Sequence, residues 1–310
     1  MASLSGPVKA GILVGVIVAA MAIAVVVALT RSRPDIVIGG KDFTEQSILC
    51  EMMAVLIEEN TDLKVGRKLF LGGTMVCFNA LTGGDLDLYA EYTGTGLVNI
   101  LKQPAVNDPN EVYRTVRDRF EQQYGLMWMQ PFGFNNTYTL TMRRAQAEEL
   151  GIKTFSDLAA HLRRPEGKAV RGGFTAEFIR RPDGYKGLVQ AYDLRFAGEP
   201  KQFDPGLMYK ACADAEVDVI CGFATDGRIA AYNLFVLEDD KKFFPAYYAA
   251  PLVRKATLAK FPRLQELLNR LAGRLSNQTM QKLNLQVDKG HRRPRDVARE
   301  FLVSAGLIPA

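Results

Sequence analysis

"DIVIGGKDFTEQSILCEMMAVLIEENTDLKVGRKLF" (residues 35–70) reads as strand, helix and strand in succession. "DIVIGG" is a short apolar run ending in two glycines, the pattern of a buried strand leaving its sheet. Thr44 is placed to N-cap a helix to about Glu59, with Ile48, Leu49, Met52, Leu56 and Ile57 on one face. "LKVGRKLF" supplies a second strand. Thr74 then caps a helix carrying Val76, Cys77, Ala80 and Leu81, which Gly83 and Gly84 stop. "DLDLYAEY" (85–92) alternates acid with Leu and Tyr, a strand ending at the loop "TGTG" (93–96). This order predicts an α/β fold with a mostly parallel sheet covered by helices. Ligands in such folds bind beyond the carboxyl ends of the strands, where these loops lie.

A second unit begins near "NNTYTLTM" (135–142). Strand signals recur at Tyr138–Met142, Ala169–Gly172 and Val217–Gly222, with helices at Ser156–Leu162, Gly184–Tyr192 and Pro205–Ala215. "AAPLV" (249–253) reads as one more strand, followed by helical stretches at 262–273, 276–284 and 294–305. No internal repeat or low-complexity tract follows the N-terminal segment.

That N-terminal segment is of a different kind. From Ala10 to Thr30 there is no charged residue, and its 21 residues would span ~31 Å as a helix, about one bilayer core. Its end, "VVVALTRSR" (25–33), offers no good A-x-A cleavage site and no cysteine for lipid attachment. Residues 1–33 are therefore expected to be an uncleaved signal anchor, with a cleaved signal peptide as the alternative. Arg31 and Arg33 on the far side go against the positive-inside tendency, which weighs on the anchor but not on export.

Composition excludes several classes. The formal net charge of +5 is mild for 310 residues, and the basic pairs (Arg143-Arg144, Arg163-Arg164, Arg292-Arg293) are scattered, as on a solvated surface and unlike a nucleic-acid site. With His161 and His291 the only histidines and no C-x-x-C pair, neither a metal site nor another cofactor is expected. Cys50, Cys77, Cys212 and Cys221 fit either two sequence-local disulfides, Cys50–Cys77 and Cys212–Cys221, or four buried apolar residues. There is no G-x-S-x-G, and "GTGLVN" (94–99) breaks the dinucleotide fingerprint at its third glycine, so no enzyme is read here.

Five segments carry a sharper signal: "GGKDFTEQ" (39–46), "AEYTGTGL" (90–97), "FNNTYTLTM" (134–142), "CGFATDGRIAAY" (221–232) and "FFPAYYAAPLVR" (243–254). Together they resemble the substrate-binding proteins of osmoprotectant ABC importers, which bind glycine betaine, carnitine, choline and relatives. The resemblance covers most of residues 36–305. It implies a two-lobed periplasmic-binding-protein fold (type II) with a cleft between lobes: lobe I from 34–133 and 241–310, lobe II from 134–240. It also implies an extracytoplasmic location and, as partners, an ABC permease and its ATPase; the apolar run 10–30 is the expected contact with the membrane.

In that family an aromatic box encloses the trimethylammonium head. A methylated cation cannot donate strong hydrogen bonds, whereas ring faces attract it by ~0.5–2 kcal/mol each. The matching positions are Tyr92, Tyr138, Phe223 and Tyr247, with Tyr248 the competitor for the last. Phe223 departs from the usual family tyrosine; it keeps the ring face and loses the hydroxyl. A betaine carboxylate wants charge-assisted donors, and the resemblance assigns these to Lys41, Thr95 and Arg181, with Arg180 the adjacent alternative. Asn136 and Gln46 are further polar candidates, although Gln46 equally suits the surface of a helix N-terminus. Asp226 and Arg228 are read as structural, on the hinge side. The expected ligand is glycine betaine or a related betaine. The alternatives are choline-type binding without a carboxylate clamp and a membrane-tethered ligand sensor of the same fold.

Overall fold

The computed structural model describes residues 34–310, apart from 166–169 and 197. The hydrophobic segment at 10–30 lies outside the described residues. Among the described residues no helix is long and apolar enough to cross a membrane.

Two five-stranded sheets organise the chain. The first has the order β2-β1-β3-β10-β4, from β1 (Ile36–Gly39), β2 (Val65–Lys68), β3 (Leu88–Tyr92), β4 (Leu126–Trp128) and β10 (Ala249–Arg254). The second has the order β7-β6-β8-β5-β9, from β5 (Tyr138–Arg143), β6 (Gly172–Thr175), β7 (Lys201–Phe203), β8 (Val219–Phe223) and β9 (Leu234–Val236). The chain leaves the first sheet after Trp128, enters the second at Tyr138, leaves it after Val236 and returns at Ala249.

Each sheet is mostly parallel, as expected, with one antiparallel strand that the sequence pattern did not show. The sequence-local trio β2, β1 and β3 is parallel, but β10 runs antiparallel to both β3 and β4. The second sheet repeats this, with β7, β6 and β8 parallel and β5 antiparallel to β8 and β9. The antiparallel strand in each case is the one that crosses between sheets, so its direction is set by the partner half.

The helix Thr44–Asn60 is buried almost all round from Glu45 to Ile57, and not only on the face predicted. The cause lies more than two hundred residues away, where the helices Asn277–Asp288 and Pro294–Ser304 pack over its other side. A helix apolar on every face, as "ILCEMMAVLI" nearly is, belongs in such a core, and each large side chain so buried contributes about 1.5–3 kcal/mol. Its Glu51 is tolerated by a 3.1 Å ion pair with Arg67. Neither predicted threonine cap forms. Phe43 and Gly73 occupy the N-cap positions without side-chain caps, and Thr44 instead donates to Asp288 at 2.5 Å. The stop at Gly83-Gly84 is as expected, with Gly84 at φ 87°.

Residues 98–133, unassigned above, carry the helix Pro109–Tyr124, capped by Asp108 with proline in its first turn. The expected loop after Tyr92 is instead followed directly by a buried π-helix, Thr95–Ile100. All four cysteines are free and buried, so the disulfide alternative fails and the apolar one stands. Burial pushes the thiols of Cys77 and Cys221 up to about 12 and that of Cys212 to about 11, far from reactivity.

Candidate functional site

The carboxyl ends of β1, β3, β6 and β8 converge on one cavity of about 130 Å³. Lys41 and Phe43 follow β1, Tyr92 ends β3 and Thr95 opens the π-helix behind it. Glu177 and Arg181 follow β6, Phe223 ends β8 and Tyr138 begins β5 beside it, the two paired in register. Tyr247 arrives on the return to the first sheet. Gly94 makes room for it, because a Cβ there would lie 2.7 Å from the Tyr247 ring and 2.8 Å from the Ala246 carbonyl.

All four predicted aromatics line the cavity. A fifth ring, Phe43, completes them. Tyr247 meets Tyr138 edge-on at 5.8 Å, Tyr138 meets Phe223 at 5.3 Å, Phe223 stacks on Phe43 at 5.4 Å, and Phe43 faces Tyr92 at 6.3 Å. The result is a continuous arc drawn from both sheets. Phe43 stands in "GGKDFTEQ", where no local pattern separates a cavity-lining ring from a core one. Tyr247 lines this cavity, whereas its competitor Tyr248 borders a separate one.

Lys41 and Arg181 are buried, and each already holds a carboxylate. Lys41 Nζ donates to Glu91 Oε1 at 2.6 Å and to Thr74 Oγ1 at 3.0 Å. Arg181 forks onto Asp183, Nε at 2.8 Å and Nη2 at 2.5 Å, and its Nη1 crosses to Thr95 Oγ1 at 3.2 Å. Tyr247 donates its hydroxyl to the same Asp183 at 2.5 Å. Arg181 also sits 5.3 Å from the centre of the Tyr138 ring. Burial alone would lower its pKa, but the surrounding Tyr138, Asp183 and Tyr247 raise it well above the ordinary value and hold it charged. Arg180 lines the same cavity from an exposed position.

The two remaining polar candidates divide. Asn136 lines the cavity and donates to Glu45 at 2.8 Å. Gln46 fits neither of its expected roles. It is fully buried behind the cavity, where Nε2 donates to the Ala90 carbonyl at 2.9 Å and to the Tyr92 hydroxyl at 3.1 Å. Its amide holds Tyr92 in place. Arg228 forks onto Asp226 at 2.9 and 2.6 Å and packs over Tyr209, whose hydroxyl accepts from the Phe223 backbone N–H. Among the described residues no cluster of histidine, cysteine, aspartate or glutamate is placed to hold a metal.

Two mixed sheets exchanging a strand direction, with a small aromatic cleft at their carboxyl ends, define an α/β binding protein of the periplasmic type. Residues 34–304 match the model of the substrate-binding domain of ABC-type glycine betaine transport systems, and the chain belongs to this family. The carnitine transport binding protein of Listeria monocytogenes (serotype 1/2a, strain 10403S) is 39% identical over 275 residues, covering 87% of each chain. The ergothioneine transport permease/ergothioneine binding protein of Helicobacter pylori (strain G27) is 37% identical over 273 residues, 88% of this chain and 48% of that longer one. A crystal structure described as a glycine betaine/carnitine/choline ABC transporter superposes with a TM-score of 0.72 at 33% identity, over 88% of this chain and 99% of that one.

Proposed function

We propose that this chain is the extracytoplasmic binding protein of an ABC importer for quaternary-ammonium osmoprotectants, with glycine betaine or a related betaine as its ligand. The observation that carries the reading is the arc of five rings, Tyr247, Tyr138, Phe223, Phe43 and Tyr92, closing on one cavity beside Arg181 and Thr95. Ring faces would hold the trimethylammonium head, since it offers no hydrogen-bond donor. The charged lining supports a zwitterion: Lys41, Arg180 and Arg181 are matched by Asp42, Glu177 and Asp204. Of an ammonium's three N–H groups Lys41 gives two to Glu91 and Thr74, and Arg181 has donors beyond those on Asp183 and Thr95. Those left would receive a carboxylate, with Thr95 between them. Asn136 borders the head.

Lobe I comprises 34–133 and 241–310 and lobe II 134–240, so Lys41, Thr95, Tyr92 and Tyr247 face Tyr138, Arg181 and Phe223 across the cleft. A ligand touching both sets favours the closed form. That form docks on a membrane permease driven by an ATPase. Residues 10–30 would tether the protein at the membrane. A second reading, choline-type binding without a carboxylate clamp, is favoured by one observation: both buried cations already have carboxylate partners.

Isothermal titration with glycine betaine, carnitine, choline and ergothioneine tests the reading. Saturable binding of a carboxylated ligand, lost in Tyr138→Ala, is expected. Binding of choline alone would leave the cage and remove the clamp. Silence with all four would overturn the proposal.

A further inference from the structure

Glu45 is fully enclosed and belongs to neither the ring arc nor the charged lining. Four donors converge on its carboxylate. Oε1 accepts from the Tyr92 hydroxyl at 2.7 Å and from Asn136 Nδ2 at 2.8 Å. Oε2 accepts from the Thr225 hydroxyl at 2.5 Å and from Asn284 Nδ2 at 3.3 Å. These donors come from different parts of the molecule: the end of β3, the first crossing between sheets, the turn after β8 and the helix Asn277–Asp288. Each oxygen thus joins one residue of the first half, Tyr92 or Asn284, to one of the second, Asn136 or Thr225. Two further bonds tighten the set. Asn284 Nδ2 donates to the Thr225 carbonyl at 2.9 Å, and the Thr225 N–H donates to Asn136 Oδ1 at 3.4 Å.

The ligand cavity and this cluster share walls. Phe43, Asn136 and Phe223 line both the main cavity and a small polar one of about 10 Å³ around Glu45, which also touches Thr44, Asp226 and Arg228. That is room for about one water. Burying a carboxylate with no cation bonded to it is costly, and only a full set of donors on both oxygens offsets that cost. Asn136 and Thr225 both belong to the second half, so the set is complete only when the two halves meet. The carboxylate's satisfaction is therefore tied to closure, and through Tyr92 to the cage.

We infer that Glu45 is a positioning residue that couples the aromatic cage to closure of the two halves, by holding Tyr92 on one carboxylate oxygen and Thr225 on the other. The inference rests on the quaternary-ammonium reading for its ligand, but not for its closure readout.

The test is a distance measurement across the cleft in the full chain. Spin labels at Val76→Cys and Leu207→Cys, both exposed and next to cavity-lining segments, report the separation by double electron–electron resonance; the four native cysteines are buried. Glu45→Gln keeps the volume but turns one acceptor oxygen into an NH2 group, which on either side faces a donor-only amide, Asn136 Nδ2 or Asn284 Nδ2, so the four-donor set cannot be kept. In Glu45→Gln, half-closure is expected to need at least about tenfold more glycine betaine than in the parent, with the same short distance at saturation. Its ligand-free distribution should shift toward longer separations. Thr225→Val, which removes a single donor, should move both readings the same way by less, and serves if Glu45→Gln does not fold. Tyr92→Phe should weaken binding in the parent and have little added effect in Glu45→Gln. A Glu45→Gln protein that melts lower yet closes at the parent's concentration, with the parent's ligand-free distribution, would make the residue merely structural and overturn the inference. Should glycine betaine leave the parent unchanged, the ligand reading fails. The ligand-free distributions of the parent and the variants then still decide the coupling, and identical distributions would sink it.

Discussion

Lys41 and Arg181 stand on opposite walls of the same cavity, both buried and both paired with a carboxylate, but their bonds run in different directions. Lys41 reaches Glu91 on β3 and Thr74, which belong to its own half. Arg181 holds Asp183 in its own half, reaches Thr95 in the other, and shares Asp183 with the Tyr247 hydroxyl. A pair made within one half exists whether or not the halves meet, so it serves the fold. A contact that spans them exists only on closure, and a ligand that favours closure is read through it. The rings repeat the contrast: Phe43 stacks on Phe223 and Tyr247 meets Tyr138 edge-on, each pair spanning the two sheets.

Truncating the two cations is the severest way to break this comparison. Arg181→Ala strands Asp183, and losing one partner of a buried pair costs about 3–5 kcal/mol; because the spanning contact goes with it, glycine betaine affinity should fall more than about 100-fold by titration. Lys41→Ala strands Glu91, and its cost should appear first in Tm, with a smaller fall in affinity. Equal losses of affinity at unchanged Tm would erase the distinction.

Tyr138→Leu comes next. It keeps apolar bulk and removes a ring face, so a loss of about tenfold is expected, within the range of one cation–π contact. A competition assay with a fluorescent quaternary ammonium would read it. Phe43→Leu sharpens the point, because no argument from the sequence singled that ring out; a drop of about fivefold would confirm it as a fifth wall. No change would return it to a packing role. Phe223→Tyr is the mildest change. It restores a hydroxyl and preserves the ring face, and affinity should move by less than about threefold.

What could be read in advance divides along physical lines. The strands Ile36–Gly39, Leu88–Tyr92 and Tyr138–Arg143 were legible, because apolar runs and glycine stops are local signals; the four aromatics that line the cavity were marked only by the resemblance of their segments. The partners of the cations were not. Glu91 and Asp183 look like ordinary acids in "DLYAEYTG" and "RRPDG", and only long-range folding brings them under Lys41 and Arg181. The same holds for the direction of β10, decided by a crossing from the other sheet, and for the coated far side of the helix Thr44–Asn60. Thr44 shows local propensity losing to a distant partner: it reads as a cap, but its hydroxyl goes to Asp288. The helix Pro109–Tyr124 is different, since its Asp108 cap and first-turn proline are local signals present in the sequence itself.

The most direct test of the central claim compares glycine betaine with glycine, which differ only in the three methyl groups on nitrogen. Calorimetric titration of the protein with each should show saturable binding of the methylated compound and none of glycine at roughly 100-fold higher concentration, because ring faces attract a cation that water and hydrogen-bond acceptors hold poorly. Equal binding of the two, or binding of glycine alone, would contradict the cage.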